Sequence, residues 1–459
     1  MLSRRVISQL KDIFGPPNVL TSKISMEAYA YDSSPFIHYP EAVVFADKVE
    51  QISQLMKLAN REKIVVVPRG AGTSLSGGAV PVHGGIILVL NRFNRILEID
   101  PVNEVAWVES GVTNLALQQA AASYGLMFGP DPASQKVATM GGNVAEGAGG
   151  IRGVKYGVTR DHLLGLEVVL PDGEVVMIGG LGKYVPQIDL TGIFCGSEGT
   201  LGIITKILVK LIPLPEAIRT MMAVFGSLDK AGEAVSQIIA RGIVPTTLEI
   251  MDQTMIRAVD DFINVGFPRE AEAVLLIEVD GYEVEVDRQV ESVVSICKEQ
   301  GATDIRKATD EKERQDLWLA RRSGNGALGR IKPAYMVQDV TVPRHKLPDM
   351  LRFVSDISKK YGIIIAQMAH AGDGNLHPHL LYDPFQPEEL ERVKQASHEI
   401  FTAALEMGGS LTGEHGIGME KLEFMTQAFT ANDLDFMEQV KRALDPHLVL
   451  NRGKVLDIA

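Results

Sequence analysis

Residues 129–157, GPDPASQKVATMGGNVAEGAGGIRGVKYG, follow neither a helical nor a strand period and are crowded with glycine. A stretch this long without a repeating apolar pattern adds little to a core, and inside a compact domain such segments are usually kept for function. Two more segments of the same kind occur in the first half of the chain, PRGAGTSLSGG at 68–78 and CGSEGTLGIIT at 195–205. Three such segments exceed what turns between strands require.

The rest of the first half is well patterned. Val49, Ile52, Leu55, Met56 and Ala59 line one face of a helix. The short strand IVVVP (64–68) follows and runs directly into the first glycine loop. The apolar run IILVL and the alternating RILEIDPVNEVAWVESG read as strands, followed by a helix over about 113–124. The segment LLGLEVVLPDGEVVMIGG predicts a hairpin with Asp-Gly at its turn. Two prolines near 215 mark a boundary, giving a domain over 1–215 (helical over about 1–30) and a second over 216–459. In the second, Val286, Val290, Val293, Val294 and Cys297 share a helical face, and EAVLLIEVD and YGIIIAQMAH read as strands. Both halves mix helices with strands, so the expected class is α+β.

With 459 residues and a net charge of -13, the chain is an unsuitable partner for a nucleic-acid backbone. Its apolar runs fall short of the ~20 residues that cross a bilayer, and its first residues lack the apolar core of a signal peptide. The expected location is cytoplasmic, with any membrane association made through partner subunits. Cys195 and Cys297 are the only cysteines, too few for an iron–sulfur cluster, which takes about four thiolates.

The loop at 68–78 is neither a Walker loop nor a G-x-G-x-x-G turn. Its small residues let backbone N–H groups approach a phosphate, although for this loop alone a plain turn is the better reading. A second constellation is HAGDGNLH at 370–377. Gly372 and Gly374 permit a turn that returns His377 towards His370, and TGEHGIG adds Glu414 and His415 further on. In an extended chain His377 and His379 share one face, opposite Leu376, Pro378 and Leu380. Two imidazoles and a carboxylate suit Zn²⁺, Mn²⁺ or Fe²⁺; the alternative is a polar turn with surface histidines.

Taken together, PRGAGTS, the GGN cluster, GSEGTLGIIT, HAGDGNLH, TGEHGIG and LNRGKV resemble FAD-linked enzymes of the vanillyl-alcohol oxidase type. The combination looks like the branch holding the glycolate oxidase flavin subunit, D-lactate dehydrogenase and D-2-hydroxyglutarate dehydrogenase. The resemblance implies an FAD-binding domain followed by an α+β cap, with a C-terminal tail returning to the flavin. The cofactor would lie between the halves. Pro68, Arg69, Gly70, Ala71, Gly72, Thr73, Ser74, Gly77 and Gly78 would meet its pyrophosphate. Pro130, Asp131, Thr139, Gly142, Asn143 and Gly149 would follow the ribityl chain and adenosine, and Glu198, Gly199 and Ile203 would touch it near the end of the domain. Thr73 stands where covalently flavinylated relatives carry histidine, so dissociable FAD is expected. Arg452 stands where the family has proline.

By the same resemblance His370, His377 and Glu414 hold a divalent metal, zinc or else manganese or iron, and His415 is the base. Arg321, in LWLARRSGNGALGRIK, would clamp the substrate carboxylate, with His379 and Asn451 also contacting substrate. Asp339 would support the site. The implied reaction is oxidation of a small 2-hydroxy acid, D-lactate or glycolate, to the 2-oxo acid. Electrons would leave for an iron–sulfur subunit, an electron-transferring flavoprotein or a quinone, in a homodimer or hetero-complex. D-2-hydroxyglutarate oxidation is the alternative within the family, and a metal-dependent hydrolase the alternative outside it.

Overall fold

The computed structural model describes residues 2–181, 188–264 and 266–458, and its chain divides into two compact units. The first comprises Met1–Gly149, Gly157–Leu214 and Glu414–Ala459; the second comprises Gly150–Tyr156 and Pro215–Gly413.

The first unit has two principal sheets. In one, Ala42–Phe45, Ile86–Val89 and Val66–Arg69 run parallel, in that order, with Val19–Leu20 antiparallel at the edge. Helices Arg4–Phe14 and Val49–Glu62 cover it, placing Ile52, Leu55, Met56 and Ala59 in a core with Val44, Ile86 and Leu88. The other sheet is antiparallel, in the order Ile96–Asp100, Val105–Glu109, Ile203–Lys210, Leu163–Val169, Val175–Gly179. Its last two strands form the hairpin expected at Asp172-Gly173, where Gly173 takes φ 89°. The helix expected over 113–124 is Asn114–Ala122, with Thr113 as its cap.

The sequence-based division leaves 414–459 with the second half, but these residues pack within the first unit. Val449 and Leu450 are buried in the core of the parallel sheet, and Val66 exchanges backbone hydrogen bonds with Val449 and Asn451 at 2.7 and 2.9 Å. The buried Lys441 donates to the carbonyls of Thr200 (2.7 Å) and Leu450 (2.9 Å) and pairs with Asp445 at 2.6 Å. Only burial of these side chains beside strands some 400 residues earlier in sequence fixes this placement, and no local pattern encodes it.

The second unit is built on one eight-stranded sheet. Its path runs Ala302–Lys307, Ala217–Phe225, Ala273–Gly281, Thr247–Asp252, Ile364–His370, Asn375–Tyr382, Ala334–Val337, with Val340–Thr341 pairing Asn375–Tyr382. Helix Glu283–Glu299 buries Val286, Val290, Val293 and Cys297 of the predicted face and leaves Val294 half-buried. Part of the long glycine-rich stretch also belongs here. Tyr156 donates its hydroxyl to both oxygens of Asp280 at 2.9 Å, Lys155 pairs with the same carboxylate, and Val154 packs where a side chain on Gly372 would stand.

Candidate active site

In the first unit the glycine loops are shaped by close approach. A Cβ on Gly70 would fall on Thr139 Oγ1, and one on Gly72, at φ 72°, would enter the Arg69 guanidinium. Arg69 is itself buried, and burial holds it below its ordinary value although Asp32 opposes this. Thr139 caps the helix Met140–Glu146, accepting from Gly142 N at 3.2 Å. Among the described residues Ser110 Oγ, Asn114 Oδ1, Asn143 Nδ2 and Asn451 Oδ1 are buried without a hydrogen-bond partner. Buried polar atoms are nearly always satisfied. The orphan at Asn143, expected near the cofactor, fits a polar group such as the FAD pyrophosphate or ribityl chain, and the one at Asn451, expected at the substrate, is likewise open to a polar group.

Three residues from the expected cofactor and substrate contacts also make contacts within this unit. Ile203 begins a strand, and its side chain lies in the apolar core with Val169 and Leu88. Asn451 donates from Nδ2 to the carbonyls of Gly78 (3.0 Å) and Glu198 (2.7 Å), tying the tail to two glycine loops. Glu198, at φ 51°, accepts Ile417 N at 2.6 Å on Oε1 and Gly418 N at 2.8 Å on Oε2. Its carboxylate therefore holds the loop that carries Glu414 and His415. Ser76 Oγ donates to His415 O at 2.9 Å on the same loop. Glu414 Oε1 lies 3.8 Å from His415 Nε2. Gly416 must stay bare, because a Cβ there would come within 2.6 Å of Glu146 and 2.7 Å of Glu198. Burial, then the Glu198 charge, pushes the Glu146 carboxyl well above its ordinary value.

In the second unit the histidines of HAGDGNLH occupy a β-hairpin. Ile364–His370 and Asn375–Tyr382 pair in register, His370 opposite Asn375 and His377 opposite Met368, with Gly374 at φ 74° in the turn. The imidazoles of His370 and His377 are 5.0 Å apart between centroids and nearly perpendicular. Neither is a surface histidine; both are buried. On the other side of Ile364–His370, the register sets Glu249 opposite His370. Glu249 Oε1 lies 2.7 Å from His370 Nδ1, and Oε2 accepts Arg321 Nε at 2.8 Å and Nη2 at 2.6 Å. Burial pushes this carboxyl up, but His370 and Arg321 outweigh it and hold Glu249 below its ordinary value. Asp339 Oδ2 accepts Thr412 Oγ1 (2.5 Å) and Gly413 N (2.9 Å), while Oδ1 stands 3.9 Å from His377 Nδ1.

His379 lies next on the same strand. Its Nδ1 is 2.7 Å from His377 O and its Nε2 is 2.8 Å from Asn325 Oδ1. The residue that sequence reasoning missed is Glu249. Its signal was an acid between the apolar Leu248 and Ile250, in a strand that is buried throughout. The donor set fits a divalent metal, since a carboxylate on His370 Nδ1 leaves Nε2 as a ligand atom.

Residues 40–179 match the family model described as an FAD binding domain, and residues 214–455 match FAD linked oxidases, C-terminal domain. The chain belongs to the FAD-linked oxidases. Among members of this family, glycolate oxidase subunit GlcD of Bacillus subtilis is 43% identical over 457 residues, covering 99% of this chain and 97% of that protein. GlcD of Escherichia coli K12 is 45% identical, covering 90% and 83%. D-lactate dehydrogenase of Anaerostipes hadrus is 34% identical, covering 98% and 97%. The solved structure of p-cresol methylhydroxylase with substrate bound superposes with a TM-score of 0.82 at 20% identity, covering 98% of this chain and 96% of that one. At that identity it shows the fold alone. This FAD-linked oxidase has no described helix long and apolar enough to cross a membrane.

Proposed function

We propose that this FAD-linked oxidase is a 2-hydroxyacid dehydrogenase that converts a small substrate, glycolate or D-lactate, to the 2-oxo acid. The observation that carries the reading is the buried Arg321–Glu249–His370 chain beside His377. It sets a carboxylate-binding guanidinium next to two imidazoles, the groups needed to hold a 2-hydroxy acid by both of its oxygen functions. The names of the relatives, glycolate oxidase subunit and D-lactate dehydrogenase, support it.

Arg321 binds the substrate carboxylate with charge-assisted hydrogen bonds. His370, His377 and Glu414 would hold a divalent metal, zinc in the first instance, and His415 takes the hydroxyl proton on an imidazole nitrogen. When bound, FAD supplies the two-electron acceptor and the metal a Lewis acid for the hydroxyl. Electrons then pass to an external acceptor. Cys195 and Cys297 are both buried, and burial pushes their thiols up to about 11 and about 12, so neither is suited to thiolate chemistry. The relatives described as subunits support a partner chain as acceptor, through which the protein would reach a membrane.

The test is anaerobic mixing of the purified protein with D- and L-2-hydroxy acids, with and without chelator. Bleaching of the flavin band by a D-2-hydroxy acid or glycolate, slowed by chelator, is the expected result. Bleaching by none of the panel would refute the reading.

A further inference from the structure

Glu249 neither binds substrate nor holds the metal in the proposed reaction, yet its side chain is 1% exposed and touches two groups that do. A carboxylate buried to this extent costs several kcal/mol unless its lone pairs are matched by donors. Here each oxygen faces a different partner, His370 Nδ1 on Oε1 and the Nε–Nη2 edge of Arg321 on Oε2. Strand pairing fixes the first contact and helix Glu311–Arg322 delivers the second.

We propose that Glu249 is a positioning residue serving metal and substrate together. It holds His370 in the tautomer protonated on Nδ1, so that Nε2 is the ligand atom. It also holds the Arg321 guanidinium by one edge, leaving the Nη1 N–H groups for the substrate carboxylate. The inference rests on the function proposed above.

Glu249→Gln separates these roles from mere packing, because a carboxamide matches the shape but has one acceptor and one donor end. With its oxygen on Arg321, its NH₂ faces His370 Nδ1 and favours the opposite tautomer, in which Nε2 carries the hydrogen and cannot ligate. With its oxygen on His370, the NH₂ meets a guanidinium N–H. One partner is lost either way.

Metal-free wild type and Glu249→Gln would be titrated with zinc against a competing chelator, and KM for glycolate and D-lactate measured at saturating zinc. The expected result is zinc binding weakened roughly 10- to 100-fold, as for other partners of ligating histidines, together with a raised KM, at unchanged FAD content. Zinc affinity and KM both within two-fold of wild type would overturn the proposal, and movement of only one would overturn the shared role. Heteronuclear NMR of His370 in the metal-free wild type covers the case of a variant that does not fold: hydrogen on Nδ1 supports the proposal, and hydrogen on Nε2 overturns it. A wild type that binds no zinc and oxidises no 2-hydroxy acid refutes the underlying reading instead, and this inference with it.

Discussion

Replacing Glu198 by glutamine leaves its volume and changes only what its two oxygens can accept. In the native protein those oxygens take the backbone N–H groups of Ile417 (2.6 Å) and Gly418 (2.8 Å), in a region closed to solvent. Glutamine can satisfy one of them through its carbonyl and turns a second donor on the other. The loss is one charge-assisted hydrogen bond plus a buried N–H without a partner, about 2–4 kcal/mol in all. Burial pushes Glu198 up and the two N–H groups pull it back, so neutralisation recovers part of the desolvation cost and favours the lower end of that range. The loss falls on opening of the loop that carries Glu414 and His415 rather than on unfolding of the whole chain. Native-state hydrogen exchange followed by mass spectrometry reads it directly, as exchange in a peptide spanning 414–419 faster by about 30- to 1000-fold. The parallel-sheet core, with Ile86 and Leu88, is expected to keep its protection. Unchanged exchange at 414–419 would refute the claim that Glu198 holds this loop.

Arg321→Lys keeps the charge but not the fork, and is expected to raise KM through a loss of about 1–3 kcal/mol of substrate binding; kcat/KM measured at fixed FAD content checks it, and an unchanged value refutes the clamp. Glu414→Gln is expected to lower bound zinc by elemental analysis, whereas His415→Asn keeps zinc and FAD and slows single-turnover flavin reduction roughly 10²- to 10⁴-fold. The opposite pattern would exchange the two roles. Acid or heat is expected to release all the flavin, because Thr73 cannot form a histidyl link; flavin remaining on the denatured chain would refute non-covalent binding.

What the sequence determined by itself was local. The helix Val49–Glu62, the Asp-Gly hairpin at 163–179 and the turn between His370 and Asn375 follow from apolar period and from glycine placed where φ turns positive. The motif residues that mark an FAD-linked oxidase were equally legible, because close approach of backbone to a cofactor demands small residues in runs. The tertiary structure decided which polar groups answer one another. Glu249 stands 72 positions from Arg321 and 121 from His370, and Glu198 stands some 220 from Gly418. His379 lies two residues beyond His377 on one strand, yet its ring nitrogens face Asn325 and the backbone. A buried charge takes whichever donor the fold delivers to it, and strand register across a sheet is set by burial summed over many residues. Neither quantity is written in the spacing of any single motif.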